Sequence, residues 1–375
     1  MLGLGLGLHK NTFVGGGGTI TDNRLIFSVK TDNAGTSASN QFTIPTTGTG
    51  YLYDIETSDG QSITGLTSGA TITFPSAGTY DIFISGSFPQ FYFNNSGDRL
   101  KLLNLKNFGI YALGSTSQSN AFYGCSNMVI SATDTGHFEN VTNFSFAWRD
   151  CSSLTSFPLI NTSLGTSFSS TWRNCTSLTS FPLIDTSSGT NFLGSWYLCT
   201  SLTSFPLINT SLGVNFSFAW YFCTSLTSFP LIDTSAGTNF YATWNSCSSL
   251  TSFPLIDTSS GTSFVQTWYL CSSLTSFPLI NTSKGTDFTY AWRDCTSLTS
   301  FPANAFDVNI ATNYSNSFIV TKLSTQSIDN ILVSLDTSGV INGTFNQSGG
   351  GNLPSSVGLT AKANLISKGW TITTN

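Results

Sequence analysis

Charged residues are scarce in this chain of 375 residues, and long apolar runs are missing. Lys, Arg, Asp and Glu make up 8% of the residues, where an ordinary soluble domain has about a quarter. The net charge is −5 and no basic cluster occurs. We therefore predict no nucleic-acid partner, because binding to phosphates depends on Lys and Arg. No stretch approaches the roughly 18 apolar residues of a membrane span, so we predict no membrane insertion.

The motifs of catalysis and of cofactor binding are also missing. The sequence has no nucleophile elbow, no glycine-rich phosphate loop after a strand and no isolated acid pair. Its two histidines, His9 and His137, have no plausible Ser or Cys partner nearby, and no C-x-x-C or Cys/His cluster of the zinc type occurs. We predict that the protein is not an enzyme and that it holds no metal ion and no cofactor.

A 24-residue repeat dominates the middle of the chain. The phrase "CSSLTSFPLI" begins at Cys151 and returns with small changes every 24 residues up to Cys295, and a tryptophan stands three residues before each cysteine. A divergent copy, "AFYGCSNMVI", has Phe122 in place of the tryptophan, and its Cys125 lies 26 residues before the next cysteine. Such a period is typical of stacked repeat proteins.

The first half of each unit has helical spacing. Phe168, Trp172 and Cys175 follow the i, i+4, i+7 pattern, which would place all three on one face of a short helical turn. This half of the unit predicts a helical turn with a buried face.

The second half has the spacing of a short strand. Leu178, Phe181 and Leu183 follow the L-x-x-L-x-L pattern, which predicts an inward face, and a turn-forming "IDTSSGT" comes next. One unit cannot bury its apolar face alone, but stacked units can. We predict a mainly β protein with short helical turns, in which residues 101–322 form a solenoid of 24-residue coils.

The repeat resembles those of BspA-type leucine-rich-repeat surface proteins. Their units carry a "C-S-S-L-T-S-I" phrase with an aromatic residue just before the cysteine, and the likeness covers residues from about 120 to 305. It departs from the family in its "FPLI", where many relatives have isoleucines. The resemblance implies a leucine-rich-repeat solenoid and a role at a surface.

Both ends of a stacked array need a cover. Residues 23–100 contain short alternating segments that predict a small β-sandwich; these are "RLIFSVKT", "QFTIPT", "YLYDIET", "ATITFP", "TYDIFISG" and "QFYFNN". This region resembles a polycystic-kidney-disease-type domain, with "TSDG" in place of the family's W-G-D-G. Residues 323–375 predict an α/β C-terminal cap with helices in "STQSIDNILVSL" and "LTAKANLISKG" and a last strand in "WTITT".

Residues 1–22 begin "MLGLGLGLHKNTFVGGGG". A basic stretch, an unbroken apolar run and a small-residue cleavage site are missing, so we interpret the segment as an extended arm with a glycine linker and not as a secretion signal. We expect the arm to dock on another protein chain through Leu2, Leu4, Leu6 and Leu8.

Two repeated columns suggest chemistry that packing explains more simply. The cysteines lie one per unit in the same phase, which favours reduced thiols in a buried column over a disulfide framework. Asn or Asp recurs at the head of each turn, and Asn161 and Asp185 are the first two members. Stacked acids suit Ca²⁺, but half of this column is Asn and each member can form a turn with backbone N–H groups, so we expect turn formation.

The residues that differ between the repeat units lie beside the tryptophans. Rings with Arg and Asn neighbours suit sugars, so these residues are candidate ligand-binding residues; the alternative is that they only cover the coil edges. The candidates are Arg173, Tyr197, Tyr221, Tyr241, Tyr269, Tyr290 and Arg293.

Together these features predict a display or binding protein. The first hypothesis is a bacteriophage virion protein of the tail-fibre, head-fibre or decoration type. It would assemble in the host cytoplasm, contact other virion proteins through its arm, and attach to a host-surface glycan or envelope protein. The alternatives are a bacterial cell-surface adhesin and a self-assembling filament. We expect a homo-oligomer.

Overall fold

The computed structural model describes residues 22–375, and the predicted docking residues Leu2, Leu4, Leu6 and Leu8 lie outside them. The protein is mainly β with few helices, at 16% strand and 7% helix. This confirms the coarse fold class predicted from the sequence.

The N-terminal part is built from eight strands in two sheets. A six-stranded sheet has the order β4-β3-β6-β1-β7-β8, and β2 and β5 form a two-stranded sheet. All pairs are antiparallel except β7 with β8. Phe27 in the first sheet contacts Phe42 in the second at a ring-centroid distance of 6.0 Å, and both are fully buried. The strands are β1 (Leu25–Lys30), β2 (Gln41–Thr43), β3 (Leu52–Thr57), β4 (Ser62–Leu66), β5 (Thr71–Thr73), β6 (Thr79–Ser87), β7 (Leu102–Asn107) and β8 (Val129–Ile130).

Five of the six predicted strand segments contain a strand, and the sixth does not. Residues 90–95 bury Phe91 and Phe93, but positive φ angles at Asn94 and Asn95 turn the chain there. β4 was not predicted, because it lies at the sheet edge and its partly or fully exposed residues show no apolar alternation.

The large sheet continues into the repeats. β7 pairs antiparallel with β1 on one side and parallel with β8, which lies just beyond Cys125, on the other. The sheet therefore crosses the domain boundary predicted between residues 100 and 101. Just before β7, the buried ammonium of Lys101 lies 3.9 Å from the carboxylate of Asp98. This pair holds the β1–β2 loop in place, because Lys101 donates to two carbonyl oxygens of the loop and to that of Gln41 at the start of β2, and Asp98 accepts from backbone N–H groups of the loop.

The repeats contact one another in parallel, one unit on the next. Isolated parallel bridges connect equivalent positions of successive units. Most of these steps are 24 residues, and the first and last are 26. The bridged positions are Ser117, Asn143, Ser167, Asn191, Asn215, Asn239, Ser263, Asp287 and Asn313.

The predicted helical turn was wrong, because the segment around each tryptophan is a run of β-turns. The N–H groups of Thr171, Arg173 and Cys175 donate to carbonyls three residues earlier. The N–H groups between them, including that of Trp172, donate to the next unit. Ser170 has a φ of 53°, which a helix does not allow. Along this segment, backbone N–H groups alternate between hydrogen bonds within the unit and hydrogen bonds to the next unit. In a helix, all of them would donate to carbonyls of the same segment.

The predicted strand was wrong, because residues 178–184 form no strand, and its predicted inward face was wrong at one position. Leu178 and Phe181 are buried, but Leu183 is 63% exposed and Ile184 takes the inward place. Pro182 has no N–H to donate, and its carbonyl accepts the N–H of Ile184 at 2.9 Å. This tight turn shifts the alternation by one residue.

Three aromatic columns fill the array. Successive tryptophans stack at 5.3–6.1 Å. The phenylalanines equivalent to Phe168 stack at 5.1–5.7 Å. Those equivalent to Phe181 stack at 5.5–6.3 Å and meet the tryptophans edge-on. Large aromatic rings dominate burial energy, so these columns hold the units in register.

The C-terminal segment continues the stack with helices in place of the "FPLI" segment. Asn313 of β9 (Asn313–Tyr314) is bridged to Asp287, and β10 (Thr344–Asn346) and β11 (Thr371–Thr373) follow in parallel. Helix α1 (Thr325–Thr337) precedes β10 and α2 (Ser356–Ser367) precedes β11. These helices and the last strand confirm the elements predicted there. Serines at both N-caps accept a backbone N–H of the first turn.

Candidate functional site

The predicted binding residues lie along one edge of the array, on the β-turns beside the tryptophans. Each is half-buried, since the next unit covers one side of it. We call this set the aromatic strip. Besides the seven predicted residues it includes Phe218 and Phe222, and its members are Arg173, Tyr197, Phe218, Tyr221, Phe222, Tyr241, Tyr269, Tyr290 and Arg293.

Arg173, Tyr197 and Tyr221 form a continuous stack. They occupy the same position in three successive units. The guanidinium carbon of Arg173 lies 4.1 Å from the ring centre of Tyr197, and the Tyr197 and Tyr221 rings are 4.6 Å apart and tilted by 14°. Both faces of Tyr197 are therefore covered. A ligand would meet ring edges and hydroxyls here, and not the open ring faces that sugars stack on.

Phe218 extends this stack toward Tyr241. Its ring contacts Tyr221 at 5.6 Å and Tyr241 at 4.9 Å, both edge-on. The backbone of Phe218 has a φ of 57°, an uncommon conformation for a bulky residue. It turns the side chain outward between the two tyrosines.

A second cluster lies further along the strip. Tyr269 and Tyr290 are 6.4 Å apart, and Arg293 lies 5.1 Å over the Tyr290 ring. In the column that holds Tyr221 and Tyr269, the residue between them is Asn245, which is only 2% exposed. The strip thus consists of two clusters, and the first is the larger.

Arg173 carries a charge that no carboxylate in the described part of the chain neutralises. Its equivalents Arg149 and Arg293 lie 3.7 Å and 3.2 Å from Asp150 and Asp294. In the unit of Arg173 the matching residue is Asn174, and among residues 22–375 no acidic group pairs with Arg173.

A surface hollow adjoins this guanidinium. Its volume is about 360 Å³, and its lining is Ser170, Arg173, Leu193, Gly194, Tyr197 and Phe218. Gly194 is the smallest residue at its position in the repeats, where the neighbouring units have Ser170 and Phe218. The absence of a side chain opens the hollow beside Arg173. It combines one unpaired cation with apolar walls, which is a common composition of small-molecule sites.

The tyrosine hydroxyls of the strip are available to a ligand. Within the described part of the chain, no protein group hydrogen-bonds the hydroxyls of Tyr197, Tyr221 or Tyr241. Burial raises the pKa of Tyr221, and its tyrosine neighbours raise it further. The phenol therefore stays protonated at neutral pH and can donate as well as accept a hydrogen bond.

Phe218, Phe222 and Leu193 were missed by the sequence analysis. Residue type points to Tyr and Arg near the tryptophans and gives no weight to the apolar residues beside them. The positions two before and two after each tryptophan, which become left-handed turn residues, vary between small and large side chains. Aligning the copies at these positions would have revealed Gly194 beside Phe218 and Phe222.

The cysteines are buried and hydrogen-bonded. Each thiol from Cys151 to Cys295 donates to the carbonyl of the aromatic residue 27 to 29 positions earlier, at 3.1–3.2 Å. Burial raises the pKa of all eight thiols, that of Cys199 and of Cys271 to about 12. The predicted buried column is confirmed. A neutral buried thiol is a poor nucleophile, so the column offers no reactive site.

The Asn and Asp column forms turns, as predicted. Each side chain accepts the N–H of the serine two residues later, at 2.8–3.1 Å. Hydrogen bonds from Ser187 and Ser235 lower the pKa of Asp185 and Asp233. No group of three His, Cys, Asp or Glu side chains with metal-site geometry occurs among the described residues.

Between residues 22 and 375, neither helix is long and apolar enough to cross a membrane. The chain matches no protein-family model, and no curated protein or solved structure matches it. The aromatic strip and the hollow beside Arg173 are therefore interpreted from their own chemistry.

Proposed function

We propose that the protein is a non-enzymatic binding protein that presents the aromatic strip to a surface ligand. The unpaired Arg173 beside the hollow carries this proposal. A cation half-buried against rings, with no carboxylate partner, is left for an external anion. Tyrosine hydroxyls at a spacing of one unit add donors and acceptors for a chain of sugar hydroxyls.

The finer fold assignment supports a display role. We propose that the stacked units form a solenoid of the leucine-rich-repeat type, like the BspA-type surface proteins, preceded by a domain like the polycystic-kidney-disease type. The 24-residue steps between bridged positions and the one-per-unit aromatic columns support this assignment. A stack of units provides length and a long edge, which suits recognition of an extended ligand.

The ligand that fits best is an acidic host-surface glycan. Uronic or sialic acid carboxylates would pair with Arg173, and ring edges and hydroxyls of Tyr197 and Tyr221 would contact the adjoining sugars. An envelope protein with an exposed carboxylate is the second candidate, since its side chain would fill the same hollow.

A glycan array tests the proposal. The wild type should give signals on acidic glycans, and a variant with Tyr197, Tyr221 and Tyr269 changed to Ala should lose at least about tenfold in affinity. Tyr92→Ala is the matched control, since Tyr92 is also half-buried but lies outside the strip. Equal signals from the triple variant and the control would contradict the proposal.

We propose a bacteriophage virion protein of the tail-fibre, head-fibre or decoration type as the setting. Eight buried thiols suit a protein that folds in a reducing cytoplasm, where virions assemble. A bacterial cell-surface adhesin and a self-assembling filament are the alternatives. Antibody labelling in electron micrographs of the source culture distinguishes particles from cell surfaces. Label confined to cell envelopes would support the adhesin.

A further inference from the structure

A row of exposed leucines runs along the array on a different segment from the aromatic strip. It comprises the third letter of "FPLI" in six successive units, and its members are 50–63% exposed. We call this row the leucine stripe. Its residues are Leu159, Leu183, Leu207, Leu231, Leu255 and Leu279.

The stripe is forced outward by the local backbone. The turn between Pro182 and Ile184, with its 2.9 Å hydrogen bond, recurs in the other units with the same partners. It directs the isoleucine inward and the leucine outward. Solubility would favour a polar residue at such a position, yet the same leucine stands in all six units.

The exposed area is large for a monomer. Six leucines that are at least half exposed present on the order of 600 Å² of apolar surface. This area lies at the upper end of the roughly 300–600 Å² that the largest apolar patch of a soluble monomer covers, and such patches are often functional. Two such patches would bury about 1,200 Å², the lower limit of a stable specific interface.

We propose that the leucine stripe binds the stripe of a second copy of this chain. Its leucines repeat once per stacked unit, and the surface that offers apolar side chains at the same pitch is the stripe itself. Pairing identical patches about a two-fold axis closes the assembly at a dimer.

The flanking columns set the orientation. On one side of the stripe lies the exposed Asn and Asp column, and on the other lie exposed Thr and Ser such as Thr179 and Ser180. An antiparallel pair would place Asp185 opposite Asp257 of the second copy, carboxylate against carboxylate. A parallel pair, with its two-fold axis along the array, places each acidic column against hydroxyl donors. The copies therefore lie parallel, with both N-terminal sheets at one end.

The mass in solution tests the dimer. Wild type should sediment as a dimer at micromolar concentration. A double variant with Leu207→Asp and Leu231→Asp should dissociate at least about a hundredfold more readily, because carboxylates of the two copies would then face each other across the centre of the interface. Leu353→Asp is the matched control, since Leu353 is 64% exposed and lies outside the stripe. Unchanged circular dichroism shows that each variant folds.

Disulfide trapping tests the orientation. Leu159→Cys in a parallel dimer places the two new thiols opposite each other, so mild oxidation should link the copies. In an antiparallel dimer, Leu159→Cys would link only to a copy carrying Leu279→Cys. The eight native thiols are buried and do not compete in the folded protein.

Three results would contradict the proposal. A wild type that stays monomeric at about 100 μM, or that binds phosphatidylcholine vesicles through the leucine stripe, would exclude the second copy as its partner. Links formed only in the mixed sample would exclude the parallel arrangement. This inference does not depend on the proposed function, because sedimentation and the glycan array report on different segments of each unit.

Discussion

Each thiol in the middle of the cysteine column hydrogen-bonds to the backbone of the preceding unit. The Sγ of Cys199 donates to the carbonyl of Trp172 at 3.2 Å, and the carbonyl of Trp196 accepts from Cys223 in the same way. Cysteine is therefore more than a small apolar filler here, since alanine would leave one carbonyl lone pair per unit unused. Serine would supply the bond but would bury a more polar group.

This column makes the fold sensitive to alkali. Burial raises the pKa of Cys199 to about 12, whereas the ordinary thiol value is 9.0. Above pH 9 the unfolded chain loses thiol protons that the folded chain keeps, so the free energy of unfolding falls as the pH rises from about 9 to 12. Each thiol contributes up to about 1.4 kcal/mol per pH unit. Urea unfolding followed by tryptophan fluorescence at pH 8, 9 and 10 should show a free energy of unfolding that decreases with pH.

A single-thiol variant isolates the contribution of cysteine. The buried Tyr111 and Tyr314 also have raised pKa values, so they destabilise the fold in the same pH range. Cys199→Ala should reduce the fall in the free energy of unfolding by up to about 1.4 kcal/mol for each pH unit. The part of the pH dependence that comes from the buried tyrosines should remain. An unchanged slope in this variant would mean that Cys199 ionises normally in the folded state.

At the scale of one unit, the glycine of each turn forms the surface on which the phenylalanine column packs. A Cβ on Gly213 would lie 2.5 Å from Cζ of Phe216 and 3.1 Å from Cε2 of Phe192 in the preceding unit. The same contacts recur around the other unit glycines. Packing therefore requires glycine at this position, although its φ is negative.

Gly213→Ala should destabilise the array by about 1–3 kcal/mol, the usual cost of overpacking a core. Urea unfolding monitored by circular dichroism measures it. Val214→Ala, one residue later and 44% exposed, should change the free energy of unfolding by less than about 0.5 kcal/mol. Similar effects for the two variants would refute tight packing at the glycine.

Much of each element could be predicted from the sequence, and the errors have local causes. The columns of Phe168, Trp172 and Cys175 were found because burial repeats with the period. The backbone that carries them was not, since i, i+4, i+7 spacing also fits two successive β-turns with left-handed residues. Leu183 was placed inward because the strand pattern ignores the turn after Pro182. That error concealed the leucine stripe.

The candidate site was predicted less completely than the fold. Arg173 and Tyr197 were identified by residue type. The hollow between them depends on Gly194, which has no side chain and therefore no functional group that would draw attention in the sequence. The covering of both Tyr197 faces depends on the distance between units. A sequence period gives the number of residues per unit and not the separation of two rings. Because the faces of Tyr197 are covered, the groups left for a sugar to contact are the ring edges and the hydroxyls.

At the scale of the whole molecule, the units combine a nearly constant interior with two different exposed rows. The aromatic strip varies from unit to unit and would recognise a ligand, whereas the leucine stripe is uniform and would join copies. In a parallel dimer the two strips would belong to one assembly with both N-terminal sheets at the same end. Paired strips would strengthen attachment to a repeated surface glycan through multivalency.

The central claim is that interchangeable 24-residue units carry the function on their variable turns. Two deletions of equal length test it. Removing residues 176–223 takes away Tyr197, Phe218 and Tyr221 but joins Cys175 to Thr224 in phase. Removing residues 224–271 keeps those residues and joins Cys223 to Ser272.

Glycan-array affinity of the two deletion proteins, each checked by circular dichroism, is the most direct measurement. Both should fold, because each loses two whole units. The second keeps Arg173, its hollow, Tyr197 and Tyr221 and loses only Tyr241 and Tyr269 of the aromatic strip, so it should bind at least about tenfold more tightly than the first. Unfolding of either protein would contradict the repeat architecture, and equal binding by both would contradict the site at Arg173 and Tyr197.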